Sequence, residues 1–266
     1  MRIDGSAVAD EPVNLRISAA TRPAPGSVND DGFVVGPSFA VVLDGCTDPG
    51  RPSGCVHDVP WLVARLSGHL TQRLTVAGDA PLTEVVARAI ERTGDEHRTE
   101  CDLSHPDSPS STVTAVRVVG NRLDYLLLAD SPLVVTRRDG GTEALVDRRP
   151  ERLSGRSFDE VAVRRNTPDG FWVAAARPEA AYRAVTGSIP VSELSSVLLL
   201  TDGASRLVDR HGHDWAELVT IAEHDGPDEL LARVHRADSA AAAAGTARRG
   251  KSHDDATAVL CRFDDR

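Results

Sequence analysis

Apolar residues occur along this chain in short unbroken runs that each end on an acid. Val-Leu-Leu-Leu at 197–200 leads into Thr201-Asp202-Gly203. Phe-Ala-Val-Val-Leu at 39–43 leads into Asp44-Gly45, and Leu-Leu-Leu-Ala at 126–129 leads into Asp130-Ser131. Runs of this length bounded by turn residues read as buried strands. A carboxylate has no place in that layer. Each Asp therefore marks a strand's lip, where it either caps the next element or holds a cation.

Between these runs the periodicity predicts the other elements. Residues 13–18 alternate apolar and polar, which reads as a half-buried strand over 13–21, and Pro23, Pro25 and Gly26 make a loop after it. Asn29-Asp30-Asp31 precedes a short strand at 33–35, a Gly36-Pro37 turn and the strand ending at Asp44. An antiparallel hairpin of that kind carries Asp30, Asp31 and Asp44 to one end. Asp58 is placed to cap a helix with Pro60 in its first turn. Helical spacing of apolar residues follows over 61–74 and again over 82–101. Strands at 112–119, 123–129, 133–137 and 143–146 are separated by turn residues and predict a meander of successive hairpins. Residues 148–170 read as an irregular excursion, 171–173 as a short buried element, 178–184 as a short helix and 204–208 as a helical turn. Helices are predicted at 214–223 and 228–244, and a last strand at 256–263. No repeat or linker divides the chain. We expect one domain over 1–266, with sheets covered by helices.

Composition narrows the function classes. The chain has 266 residues, 41% of them apolar, with a formal net charge of -10. Lys251 is the only lysine. An acidic chain without a basic stripe argues against nucleic acid as a partner. No apolar stretch approaches the ~20 residues of a membrane helix. Asp4, Asp10 and Glu11 leave no apolar core for a secretory signal. The four cysteines are scattered, so a reduced, cytoplasmic setting is expected.

If the last strand runs antiparallel to the one ending at Asp202, Asp254 joins the same edge as Asp30 or Asp31, Asp44, Asp130 and Asp202. So many like charges either raise one another's pKa or are neutralised by cations. Carboxylate oxygens suit Mg²⁺ or Mn²⁺, and no Cys/His spacing suits zinc better. In order and type these motifs resemble the metal-dependent Ser/Thr protein phosphatases of the type 2C class, in a bacterial form. Asn29-Asp30-Asp31 stands where that family has Asn-Glu-Asp, and Val42-Leu43-Asp44-Gly45 resembles its first Asp-Gly motif. Ser110-Ser111-Thr112 and Leu128-Ala129-Asp130-Ser131 are similar to its Gly-Ser-Thr and Gly-Asp-Ser. Leu200-Thr201-Asp202-Gly203 resembles its second Asp-Gly motif, and Asp254-Asp255-Ala256-Thr257 its closing Asp-Asn-x-Thr.

The resemblance covers residues 13–263 and implies an α+β fold, a four-layer α-β-β-α sandwich of two mainly antiparallel sheets. It implies that Asp44 bridges two Mn²⁺ or Mg²⁺ ions with the Gly45 carbonyl at the same centre. Asp202 and Asp254 would complete one ion, and Asp30 with Asp31 would support the other. Asp130 would hold a third ion with Asp202. The implied reaction is hydrolysis of phosphoserine or phosphothreonine on a phosphorylated protein by direct attack of a metal-bound hydroxide. The sequence departs from the family in Asp30, shorter than the usual Glu, and in Cys46, where eukaryotic members have His. It also lacks the arginine that usually precedes Asn29 and binds the substrate phosphate, which leaves Arg22 as the nearest candidate.

Blander readings stand beside these. Asp44, Asp130 and Asp202 could be turn or capping residues. Asp254 is preferred to Asp255 as the ligand because it aligns with the family's Asp. Cys55-Val56-His57 offers two ligands only, so a loop-packing role is preferred to half a metal site or a redox switch. His105 and His253 read as solvated loop residues, although His253 beside Asp254 could donate a proton. Trp61 and Trp172 read as core, and Arg248-Arg249 as a solvated loop. Two rival functions remain: an inactive phosphatase-fold module that binds a phosphoprotein or partner, and a doubly wound hydrolase with an Asp nucleophile. The meander over 112–146 speaks against the second.

Overall fold

The buried runs become inner strands of two antiparallel sheets. The computed structural model describes residues 14–46, 50–246 and 251–264. Its strands in chain order are β1 (Leu15–Arg22), β2 (Gly32–Gly36), β3 (Phe39–Leu43), β4 (Val113–Val119), β5 (Arg122–Leu128), β6 (Leu133–Arg137), β7 (Thr142–Leu145), β8 (Val185–Pro190), β9 (Leu194–Leu200) and β10 (Ala256–Phe263). One sheet has the order β1-β10-β9-β6-β7 and the other β2-β3-β4-β5-β8. Helices α1 (Val59–Val76) and α2 (Leu82–Asp95) cover the second sheet. Helices α4 (Asp202–His211), α5 (Trp215–His224) and α6 (Pro227–Ala243) cover the first. A short helix, α3 (Phe158–Ala162), lies in the excursion after β7. The result is the expected four-layer sandwich.

Strand periodicity explains why the inner runs are continuous. Val41 and Leu43 of β3 pack under α1 and α2, while Ala40 and Val42 pack between the sheets. In β9, Val197 and Leu199 face the other sheet, while Leu198 and Leu200 face the helices. Both faces are buried, so no polar alternation survives. The helix ends follow the expected chemistry. The Trp61 amide donates to the Asp58 carboxylate at 3.0 Å at the start of α1. Asp214 and Glu217 form a reciprocal capping box on α5.

Several expectations need correction. The meander is not one sheet: β4 and β5 pair with each other, but the turn at 130–132 carries the chain across, so that β6 pairs with β9 and β7. Strand β8 was not foreseen, because Gly187 and Pro190 interrupt its pattern. Gly187 is small because the Tyr125 ring lies against it, and a Cβ there would stand 2.3 Å from the Tyr125 hydroxyl. Helix α2 stops at Asp95, and separate turns carry the chain on to Cys101. Trp172 is in the core, but Trp61 is half-buried at the surface, stacked on His57. His253 bonds to Ser239 at 2.9 Å. Arg248-Arg249, residue 13 and the acids at positions 4, 10 and 11 lie outside the described residues. No helix among the described residues is long and apolar enough to cross a membrane.

Candidate metal centre

Strand pairing decides which acids meet. Gly32 of β2 pairs with Leu43 of β3, so Asp31 and Asp44 leave the hairpin at one end. Ala258 of β10 faces Leu200 of β9, which sets Asp254 and Asp255 beside Thr201 and Asp202. Asp130 stands where the chain crosses between sheets after β5. Its predecessor Ala129, buried against Phe171 and Val173, makes the turn with φ 72°. These segments enclose a cavity of ≈ 140 Å³ lined by Asp31, Asp44, Gly45, Cys46, Thr112, Asp130, Asp202, Asp254 and Asp255.

Both Asp-Gly motifs work by close approach. A Cβ on Gly45 would stand 2.3 Å from the Asp30 carbonyl oxygen. A Cβ on Gly203 would stand 1.8 Å from the Asp255 carbonyl oxygen. Each glycine thus lets a second acid-bearing segment pack against the first.

Hydrogen bonds then aim the carboxylates. The Asp202 amide, in the first turn of α4, donates to the Asp44 carboxylate at 3.0 Å. The Thr112 hydroxyl accepts from the Asp44 amide at 3.1 Å and shares a 2.7 Å hydrogen bond with Ser131. The Thr201 hydroxyl donates to the Asp31 carboxylate at 2.8 Å. Asp255 accepts from the Ala24 and Asp30 amides at 2.7 and 2.8 Å, which ties the β1–β2 loop to the start of β10. Its carboxylate oxygens are spent on backbone, and this separates it from Asp254. Arg206, buried in α4, donates to Asp254 and to Asp238 of α6, at 2.8 Å each, and Lys251 reaches Asp254 at 2.9 Å.

The electrostatics are those of crowded, desolvated carboxylates. Burial pushes the Asp31 carboxyl up to about 8, even though the Thr201 hydroxyl opposes the shift. Burial, with Asp202 and Asp31 nearby, raises Asp44 well above the usual carboxylate range, and burial raises Asp130 as well. Asp202 is open to solvent on one side. The protein packed around it still desolvates its carboxyl, and with Asp254 and Asp130 pushes it up to about 7. Among the described residues no arginine or lysine pairs with Asp31, Asp44, Asp130 or Asp202, since Arg206 and Lys251 are taken by Asp254. A divalent cation would relieve this repulsion. An all-oxygen donor set of carboxylates and a backbone carbonyl fits Mg²⁺ or Mn²⁺.

Most of the sequence-predicted ligands meet here. Asp31, Asp44, Gly45, Asp130, Asp202 and Asp254 all line the cavity. Asp30 does not. Its amide goes to Asp255 and its carbonyl backs Gly45. Arg22 is also elsewhere: it pairs with Asp228 at 3.0 and 2.7 Å, because the start of α6 packs beside the end of β1. Sequence reasoning missed Thr112, Thr201 and Arg206 as supports. It also missed Arg165. Arg165 lines a small cavity that shares Cys46 with the acidic one. Its Nη1 donates to the Pro106 carbonyl at 2.9 Å, while its buried Nε has no hydrogen-bond partner.

The family model for protein phosphatase 2C matches residues 24–235. The chain belongs to the protein phosphatase 2C family. No curated protein sequence matches it. Among solved structures, PppA, a regulatory component of the type VI secretion system (T6SS) in Pseudomonas aeruginosa, superposes with TM-score 0.64 at 18% identity, over 95% of this chain and 99% of its own. The serine/threonine phosphatase PstP of Mycobacterium tuberculosis superposes with TM-score 0.62 at 18% identity, over 94% and 99%. The catalytic domain of PstP in complex with two manganese ions gives TM-score 0.57 at 20% identity, over 94% and 99%. At these identities the likeness is one of fold. The two antiparallel sheets and their flanking helices are those of the phosphatase 2C sandwich.

Proposed function

We propose that this phosphatase 2C chain hydrolyses phosphoserine and phosphothreonine on proteins, as one domain, in the cytoplasm, with Mn²⁺ or Mg²⁺. The observation that carries the reading is the convergence of six aspartates and the Gly45 segment on one cavity, with no arginine or lysine paired to Asp31, Asp44, Asp130 or Asp202 among the described residues. Asp44 would be shared by two ions, with the Gly45 carbonyl at the same centre. Asp202 and Asp254 would complete one and Asp31, backed by Asp30, the other. Asp130 with Asp202 would hold a third. Bound there, the ions supply a water acidic enough to attack at neutral pH and neutralise charge on the phosphoryl oxygens.

The chain's own residues do the positioning. Thr201 holds Asp31, the Asp202 amide orients Asp44, and Arg206 fixes Asp254. Arg165, which lines the small cavity that shares Cys46 with the acidic one, would take the phosphate-orienting role in place of Arg22. Turnover of p-nitrophenyl phosphate with Mn²⁺, with and without EDTA, tests the reading on the wild type and Asp202→Asn. Metal-dependent turnover that the variant loses by ~10²-fold or more is expected, as for removal of an electrostatic catalytic group. Absence of turnover with manganese demonstrably bound would replace it with a phosphoprotein-binding module.

A further inference from the structure

Residues from the loop after Gly45 and from the turns after α2 form a second ligand cluster, none of which lines the acidic cavity. Cys55 Sγ lies 2.9 Å from Cys101 Sγ and 3.4 Å from His97 Nδ1. The three donor atoms lie within 4.8 Å of one another. His97 and Cys101 share a face because the Cys101 amide closes a turn on the His97 carbonyl at 3.0 Å. The Asp102 amide holds the loop against them by donating to the Gly54 carbonyl at 2.7 Å. Both cysteines are free thiols, and their separation exceeds the roughly 2.05 Å of a disulfide. Cys55-Val56-His57 alone was half a site. The fold brings up the other half from 42 and 46 residues away.

We infer that Cys55, His97 and Cys101 bind one Zn²⁺, which clips the segment before α1 to the turns after α2. Two thiolates and an imidazole are soft and borderline donors, the set that selects zinc over manganese or magnesium. The acidic cavity has the opposite preference, so one chain carries two sites that sort their metals by ligand chemistry. Zinc at about 2.3 Å from sulfur and about 2.0 Å from nitrogen needs sulfur–nitrogen separations near 3.5 Å and sulfur–sulfur separations near 3.8 Å in a tetrahedron. The Cys55–His97 pair already meets this, and the sulfurs part by about 0.9 Å on binding. The fourth position goes to a water, while His57 beside the cluster is stacked on Trp61 and meets Glu100 at 3.0 Å. The ion would hold Cys55 two residues before His57, which with Asp58 lines a small cavity that shares Cys46 with the acidic one.

The full chain, produced with zinc and manganese and purified anaerobically without chelators, tests this by metal analysis. About one zinc per chain is expected, released by a mercurial thiol reagent, and Co²⁺ substitution should give a thiolate-to-metal charge-transfer band. Cys101→Ser and His97→Gln should each lower zinc content at least tenfold, while Asp202→Asn retains it. If a variant fails to fold, the mercurial release and the cobalt band of the wild type decide. Zinc below about a tenth per chain, zinc retained in Cys101→Ser, or a peptide cross-linked between Cys55 and Cys101 under anaerobic conditions would overturn the inference.

Discussion

Gly203 shows how a single residue governs the centre. Its Cα faces the Asp255 carbonyl so closely that any Cβ would stand 1.8 Å from that oxygen. The clash is with backbone, which cannot rotate away. Gly203→Ala should therefore push the start of β10 outward, moving Asp254 and loosening Asp255 from the Ala24 and Asp30 amides. Overpacking of this kind costs about 1–3 kcal/mol. We expect a lower melting temperature together with a loss of turnover, and a fully active, equally stable Gly203→Ala protein would contradict this account. The two arginines separate by the same logic. Arg22 is engaged by an exposed carboxylate, whereas the Arg165 Nε is buried and unpartnered. Loss of a charge-assisted hydrogen bond to phosphate is worth about 1.5–3 kcal/mol. Arg165→Ala should raise KM for a phosphopeptide by roughly 10- to 100-fold, while Arg22→Ala leaves KM within a few-fold. Steady-state kinetics on the two variants would show which arginine carries the phosphate.

Elements meet the centre through α4, whose Arg206 is buried between Asp238 of α6 and Asp254 before β10. Removing one partner of a buried pair leaves the other charge stranded, at about 3–5 kcal/mol. Arg206→Ala should unfold at correspondingly lower denaturant. The double variant Arg206→Met with Asp238→Leu should recover part of that stability, because it removes the buried Asp238 charge along with its partner and leaves Asp254 paired with Lys251. Turnover should stay low in both, because Asp254 has lost the group that aims it. Recovery of stability and activity together would make Arg206 a purely structural residue. None of this was readable from the chain, since Arg206 and Asp254 lie 48 positions apart and only the β9–β10 pairing brings them together. The exits of β3, β5 and β9 were readable, because strands buried on both faces leave unbroken apolar runs in which an acid stands out. Strand β8 was hidden by Gly187, which exists to admit Tyr125. The crossing at 130–132 was hidden too, since period-two patterning reports which face is buried and not which strand lies beside it.

The whole molecule holds its acidic cluster at a cost that depends on pH. Asp31 at about 8, Asp202 at about 7 and Asp44 well above its usual 3.8 keep protons in the folded chain that the unfolded chain releases above about pH 4. A group that binds more protons folded than unfolded makes stability fall as pH rises between its two pKa values. The metal-free protein should therefore lose melting temperature from about pH 4 to about pH 8, the window between those values. His97 and His235 act oppositely below about pH 6.5, because burial lowers both and keeps them neutral when folded. Asp31→Asn isolates the cluster: the difference in slope between wild type and variant belongs to Asp31 and its neighbours, and the variant's fall should be shallower. Mn²⁺ bound at the proposed site would compete with the same protons. Its affinity should rise with pH across the window, and its binding should release protons, seen as a buffer-dependent heat in calorimetry. Saturating Mn²⁺ should also abolish the fall in melting temperature in the wild type. A metal-free melting temperature that climbs steadily to pH 8, or manganese binding without proton release, would mean that the carboxylates are already ionised and that another group neutralises them.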